Sequence, residues 1–426
     1  MGLNDFRIVF DNPWSTYYPG QTVTGRVIVV LDAVKKVRGI TVKVKGEANV
    51  CWATDRQELN NEGKYDNETQ TVTGHEEYFN MEYYLLGSPS GSEIELPIGE
   101  HSYPFQCPLP PNLPSSFEHD HGYVRYTVKA SIDRPWKFDH QVKIAFTVVS
   151  NFDLNKEARA LEPVNLEMSK TFCCLCCGSP PLKVNIMMPV KGYVPGQAMM
   201  IRVNVENHSG IVVDTIKLIL RKIVTFKANN PRFETKTEKI MIAEVSKGPV
   251  EGNATSDYQQ KLDIPPLPPS NLTNCGIIDL EYNLKIEACV AGWYHRNLKQ
   301  NMLVFIGTIP LASYQNSVMP PTSPSKVPMP GNPGADPTYG GYPSGYPEFS
   351  PDNGNPAPPS APPDYNSDSP AQLQTNHNTY PNLPPPAYEE YGWSIRSIRD
   401  AGESDQVMGL RGHYAPRYPK WDSPGD

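Results

Sequence analysis

The chain has 426 residues, with 38 Lys and Arg against 46 Asp and Glu, 45 Pro, 31 Gly and 8 Cys, a length suited to two or three domains. Pro stands at about twice its usual share. From Leu311 onward, 116 residues hold 23 Pro and 12 acidic against 6 basic residues, leaving the first 310 near neutral, so the strongly basic face of a nucleic-acid binder is missing.

Residues 1–11 mix charged and apolar side chains without the apolar segment of a secretory signal. Nowhere does the sequence approach the ~18 apolar residues of a spanning helix. Eight Cys in this length, four of them crowded together, do not read as a disulfide framework. The expectation is a cytosolic protein with reduced thiols, in which the Asn-x-Ser/Thr sequons at Asn67, Asn207, Asn253 and Asn271 are coincidental.

Period-2 alternation runs through the first 310 residues. Ile40, Val42 and Val44 alternate with Thr41, Lys43 and Lys45; Val124, Tyr126, Val128 and Ala130 alternate with Arg125, Thr127 and Lys129; Val142, Ile144, Phe146 and Val148 continue the habit. Each run predicts a strand with one apolar and one polar face, as in a sheet covered on one side. Only 153–164 suggests a short helix. Many short strands between Gly-, Pro- and Asn-rich turns predict β-sandwiches.

The chain also repeats itself. Tyr17-x-Pro19-Gly20-Gln21 with Arg26-Val27 recurs 176 residues on as Tyr193-x-Pro195-Gly196-Gln197 with Arg202-Val203, and Ile40-x-Val42-x-Val44 meets Ile216-x-Leu218-x-Leu220. Leu109-Pro110-Pro111-Asn112-Leu113-Pro114-Ser115 is answered by Ile264-Pro265-Pro266-Leu267-Pro268-Pro269-Ser270. The simplest reading is an all-β chain: one sandwich over 1–155, a Cys-rich joint over 156–180, a second sandwich over 181–311, and an arm over 312–426. The arm is rich in Pro, Gly, Ser and Asn and poor in aliphatic residues. It is expected to be disordered, because it buries too little apolar surface to offset its ordering entropy.

Cys173, Cys174, Cys176 and Cys177 fall in the joint. Neighbouring Cys cannot all reach one zinc ion, which usually takes two separated pairs, so no metal site is expected. Acylation beside Phe172 and Leu175 and plain thiols both remain open. His119-Asp120-His121 places two imidazoles on one side of an extended chain but supplies no further metal ligands, and reads as a polar loop. From 217 to 247 there are eight Lys and Arg against three Glu; these read as outward-facing strand residues or as a patch for anionic lipid or acidic cargo. No catalytic constellation and no phosphate-binding glycine loop stands out. The sequence implies no enzyme and no cofactor.

The arm carries Pro362-Pro363-Asp364-Tyr365 and Pro385-Pro386-Ala387-Tyr388. A polyproline segment arrives nearly preordered, which lowers the entropic cost of docking. Its prolines then lie in an aromatic-lined groove of the WW type, with Tyr365 or Tyr388 filling a neighbouring pocket. Overlapping the first copy, Pro359-Ser360-Ala361-Pro362 is similar to the signal read by the ubiquitin-E2-variant domain of ESCRT-I, and equally a product of local composition.

Together these features resemble the arrestin domain-containing proteins, or α-arrestins. The Pro-Gly-Gln-led sandwiches, the Cys-rich joint and the Pro-Pro-x-Tyr arm carry the likeness, as do Phe6-x-Ile8-x-Phe10-Asp11-Asn12 and Gly122-Tyr123-Val124-Arg125-Tyr126. It covers roughly residues 5–311 and the two arm motifs; 393–426 has no feature of that family. The resemblance implies a non-catalytic adaptor that brings WW-domain HECT-type ubiquitin ligases to receptors and transporters. It also implies a cytoplasmic protein with peripheral recruitment to plasma membrane and endosomes. A reading of another class is a retromer-like coat subunit of arrestin fold, whose function does not need WW binding.

Overall fold

A computed structural model describes residues 2–59, 65–135, 138–174, 177–292, 295–312, 387–390, 397–400, 403–404, 406–410 and 414–421. The first sandwich runs β1 (Asp5–Phe10), β2 (Thr16–Tyr17), β3 (Thr22–Leu31), β4 (Lys35–Val37), β5 (Gly39–Leu59), β6 (Tyr65–Gly87), β7 (Ile94–Leu96), β8 (Gly99–Pro108), β9 (Phe117–His119), β10 (Gly122–Asp133) and β11 (His140–Val148). The second begins inside the stretch expected as a joint, with β12 (Val164–Lys170) pairing on β15 (Leu182–Met188) and a separate small hairpin, β13 (Cys173–Cys174) and β14 (Cys177–Gly178), between them, followed by β16 (Gly192–Tyr193) and β17 (Ala198–Asn207). It continues through β18 (Val213–Ala228), β19 (Glu234–Lys247), β20 (Ala254–Asp263), β21 (Ile278–Val290) and β22 (Leu298–Ile306). The arm adds β23 (Ala387–Glu390) and β24 (Arg417–Lys420).

The repeat seen in the sequence is a repeat of topology. In the first sandwich β1-β3-β8 form one sheet and β2-β11-β10-β5-β6 the other. In the second, the sheets are β12-β15-β17-β20 and β16-β22-β21-β18-β19. Each larger sheet is finished by one short parallel pairing, β2 on β11 and β16 on β22. Alternation sends Val23, Val27 and Val29 of β3 and Ile201, Val203 and Val205 of β17 into the core, the burial that drives the two layers together.

The Tyr-x-Pro-Gly-Gln motif builds the turn after β2 and after β16. Gly20 and Gly196 sit at φ of 82° and 91°, a conformation that glycine adopts without a Cβ penalty. Their N–H groups donate to Pro110 O at 3.1 Å and to Ile264 O at 2.8 Å. The Gln completes the turn: Gln21 Oε1 accepts from Tyr18 N–H at 2.9 Å, and Gln197 Oε1 from Val194 N–H at 3.1 Å.

The segment read as a short helix is two 3₁₀ turns, Leu154–Lys156 and Ala158–Leu161, capped by the carboxylates of Asp153 and Glu157. Two caps so close together satisfy the backbone turn by turn, and no α-helical ladder forms. Next to them the sandwiches are bonded together. Phe152 N–H donates to Thr308 Oγ1 at 2.8 Å, and Asn155 Nδ2 to Pro310 O at 2.9 Å. Farther along the same interface Thr73 N–H donates to Asn230 O at 2.8 Å, and Arg232 Nη1 to Gln70 Oε1 at 2.9 Å.

Two features go beyond the sequence reading. The polar face of β10 and β11 is covered: Arg125, Thr127, Lys143 and Thr147 are buried although alternation points them away from the core. The cover comes from the arm, contrary to the expectation of disorder throughout it: its described residues between 397 and 418 lie on the first sandwich. Ile398, Val407 and Leu410 are buried together against Ala145 and Tyr414, apolar anchors that the composition of the whole arm averages away.

Candidate functional site

The covered face carries a buried cluster of charged side chains that joins the arm to the first sandwich. Lys143, in mid-β11 with its side chain 2% exposed, holds Asp400 at 2.8 Å and Glu403 at 3.0 Å. Lys129, which neighbours Lys143 across the β10–β11 ladder, takes the other Glu403 oxygen at 3.0 Å. Two ammonium groups from adjacent strands thus clasp a pair of carboxylates three residues apart. Burial opposes ionisation of Glu403, yet Lys129, the Asp400 N–H and Lys143 outweigh it and hold the carboxyl below its ordinary range. Asp400 is also burdened by burial and is lowered chiefly by Lys143. Arg125 completes the face: its guanidinium grips both Glu118 oxygens at 2.7 Å, lies 4.0 Å over the Tyr123 ring, and donates to Ser397 O at 3.3 Å.

Backbone bonds fix the same segment, hereafter the strap. Met408 N–H donates to Gln141 O at 2.8 Å and Lys143 N–H to Met408 O at 2.9 Å, beyond the stretch where β2 ends its pairing on β11. Gly409 sits at φ of 85° with its back against β11, where a Cβ would stand 2.3 Å from Lys143 O. Farther on, Tyr414 Oη donates to Phe146 O at 2.9 Å and the buried Tyr418 hydroxyl to Ser116 O at 2.8 Å. Trp421 then reaches the second sandwich, its N–H donating to Pro195 O at 2.9 Å and its indole to Thr308 O at 3.2 Å.

On the far edge of this anchored segment, β24 pairs antiparallel with β23 in the register Ala387↔Lys420, Tyr388↔Pro419, Glu389↔Tyr418 and Glu390↔Arg417. The second Pro-Pro-x-Tyr copy therefore reaches the strap: the backbones of Ala387 and Tyr388 lie in the ladder, while Pro385 and Pro386 fall outside the described residues. Pro362, Pro363 and Tyr365 of the first copy, and Pro359, Ser360, Ala361 and Pro362 of the overlapping signal, also fall outside them.

In the joint, β13 and β14 pair as a minimal hairpin, Cys173 opposite Gly178 and Cys174 opposite Cys177. The side chains at 173–177 are outside the described set, as is Cys176 altogether. Cys51, Cys107, Cys275 and Cys289 are free. No cluster of three or more His, Cys, Asp or Glu able to hold a metal occurs among the described residues.

His119 and His121 face the second sandwich instead, at 3.4 and 2.7 Å from the Glu238 carboxylate and with rings 5.0 and 5.9 Å from Phe226. Burial, helped by Lys222 and His121 and opposed by Glu238, lowers His119 to about 4. Of the basic residues in 217–247, Lys217 pairs with Glu244 at 3.2 Å. Lys222 is turned inward over Phe117 and lowered to about 8 by burial. No described helix is long and apolar enough to cross a membrane.

Sequence reasoning missed Lys143, Asp400, Glu403 and Tyr418. A usable signal was present, since Ile398, Val407, Leu410, Tyr414, Tyr418 and Trp421 return apolar character to the chain after its Pro-rich stretch.

Comparison with known proteins agrees with the fold. Residues 6–155 match the family model "Arrestin (or S-antigen), N-terminal domain" and residues 179–311 its C-terminal counterpart. The chain belongs to the arrestin family. Among its relatives are Arrestin domain-containing protein 17 of Caenorhabditis elegans, 32% identical over 326 residues that span 73% of this chain and 72% of that protein. Arrestin domain-containing protein 4 of Homo sapiens is 30% identical over 299 residues, 69% and 68% of the two chains. The mouse protein of the same name is 29% identical over 307 residues, 71% of each. Within the family the chain is an α-arrestin, and its role is that of an arrestin-type trafficking adaptor, in a family of generally non-catalytic proteins.

Proposed function

We propose that the sandwiches engage receptors or transporters while the arm captures WW-domain ubiquitin ligases of the HECT class, promoting ubiquitination and endocytosis of the cargo. The observation that carries this reading is the pair of Pro-Pro-x-Tyr copies, ending at Tyr365 and Tyr388, on an arm that follows two arrestin sandwiches. The polyproline stretch before each Tyr suits the aromatic groove of a WW domain, and two copies allow a tandem partner to gain avidity. The adaptor works in the cytoplasm and is recruited to plasma membrane and endosomes. Acylation at Cys173, Cys174, Cys176 or Cys177 anchors it peripherally, and Pro359-Ser360-Ala361-Pro362 offers a second, ESCRT-I contact.

Affinity capture from cells with the full-length protein and its Tyr365→Ala/Tyr388→Ala variant tests this reading. Ligases with WW domains are expected with the first and not with the second. Equal recovery sinks the ligase link and leaves a coat-like, WW-independent role.

A further inference from the structure

The last two residues of the second Pro-Pro-x-Tyr copy, Ala387 and Tyr388, are in a β-ladder with the strap. We propose that the strap withholds this copy, so that it meets a WW domain only when β23 leaves β24. The inference rests on the WW reading above and adds its regulation.

A WW groove takes its ligand as a polyproline helix, with no internal hydrogen bonds and the backbone solvated. Tyr388 sits opposite Pro419 in an extended ladder, and its neighbours are paired on both sides. One backbone cannot be strand-paired to β24 and laid along a WW groove together.

The two strands are unequally held. β24 is fixed by the buried Tyr418, by Arg417 N–H donating to Thr147 Oγ1 at 3.2 Å and by Trp421 on the second sandwich. β23 is four residues long. A ladder so short is marginal unless other contacts support it. The support is the strap, whose seat depends on Lys143, Asp400, Glu403 and the close approach of Gly409 to β11. Loosening the seat therefore frees Tyr388 without touching the motif itself. A closed form populated at nine-tenths weakens apparent affinity about tenfold, because only the open fraction binds.

The test titrates one WW domain that recognises Pro-Pro-x-Tyr against three partners. They are a peptide of residues 380–392, the full chain carrying Tyr365→Ala, and the full chain carrying Tyr365→Ala with Gly409→Val. The peptide is expected to bind about tenfold more tightly than the first chain, and Gly409→Val to recover most of that difference. Hydrogen exchange at Glu389 and Tyr418 supplies a measurement that does not depend on the variant, with slow exchange expected in the wild-type chain. Equal affinity of the peptide and the Tyr365→Ala chain, or fast exchange at these amides, overturns the masking and leaves the WW reading intact. A peptide that does not bind overturns the WW reading and the masking with it.

Discussion

Tyr126 and Tyr282 make the same bond in the two sandwiches: the Tyr126 hydroxyl donates to Pro114 O at 2.6 Å and the Tyr282 hydroxyl to Pro268 O at 2.8 Å. Both side chains are fully buried, and each ties the long strand of its larger sheet to the Pro-rich approach before it. The following serines match as well. Ser116 Oγ accepts from Val148 N–H and Ser270 Oγ from Ile306 N–H, each at 2.9 Å. Tyr126→Phe and Tyr282→Phe each strand a buried carbonyl and are expected to cost about 1–3 kcal/mol, read as a lower urea midpoint at unchanged slope. An unchanged midpoint in either variant shows that the carbonyl does not need the hydroxyl.

Removing the ammonium of Lys143 takes from Asp400 its ion-pair partner and from Glu403 one of two. Lys143→Met is expected to release the strap more readily than it unfolds the sandwiches, because the lost contacts join those two parts. Limited proteolysis should then cut within 397–421 at least several-fold faster, with the core resistant. Cleavage at the wild-type rate contradicts the assigned role of Lys143.

Acid should act on the same clasp in a defined direction. Asp400 and Glu403 are held below their ordinary range in the folded chain, so their contribution is complete above the unfolded carboxylate range. It is lost as pH falls through the lowered folded values. Exchange at the Met408 amide should stay slow from pH 7 to about 5 and speed up only below about 4.

The inter-sandwich histidine behaves oppositely to a paired one. His119 is lowered to about 4, so the unfolded chain binds its proton first, and stability present above about 6.5 falls as pH drops from there toward 4. His140, lowered to about 4 by burial with Arg134 and Lys35, adds in the same sense. The thermal midpoint is expected to decline over that window, less steeply in His119→Asn. Identical slopes for wild type and variant assign the decline to other groups.

On the arm, Pro362 belongs both to Pro359-Ser360-Ala361-Pro362 and to the first Pro-Pro-x-Tyr copy. One residue cannot occupy two grooves, so a peptide of residues 355–370 should bind a WW domain or the ESCRT-I ubiquitin-E2-variant domain, never both. A ternary complex in sedimentation velocity rules out the competition.

The paired sandwiches were legible because period-2 alternation and a repeated turn motif are local properties. Gly20 and Gly196, Gln21 and Gln197 occupy their turns for reasons contained within a few residues. The hydroxyl bonds of Tyr126 and Tyr282 were hidden, since alternation counts a buried Tyr as one more apolar residue. The clasp was hidden for a different reason. Lys143 looks like any outward-facing strand lysine until Asp400 and Glu403 arrive from more than 250 residues away in the chain, and no period or spacing encodes a contact of that kind.

The cover over β10 and β11 also sets where the protein can be shortened. Cutting after Leu311 looks like the removal of a featureless extension, but it also uncaps a finished surface. Arg125, Thr127, Lys143 and Thr147 would meet water, and the edge of β11 at Val142, now paired with Met408, would be left open. An open strand edge is a template for another chain. Fragments ending near 311 should therefore tend to associate with one another, and a binding surface mapped on such a fragment would include ground that the intact chain keeps for itself.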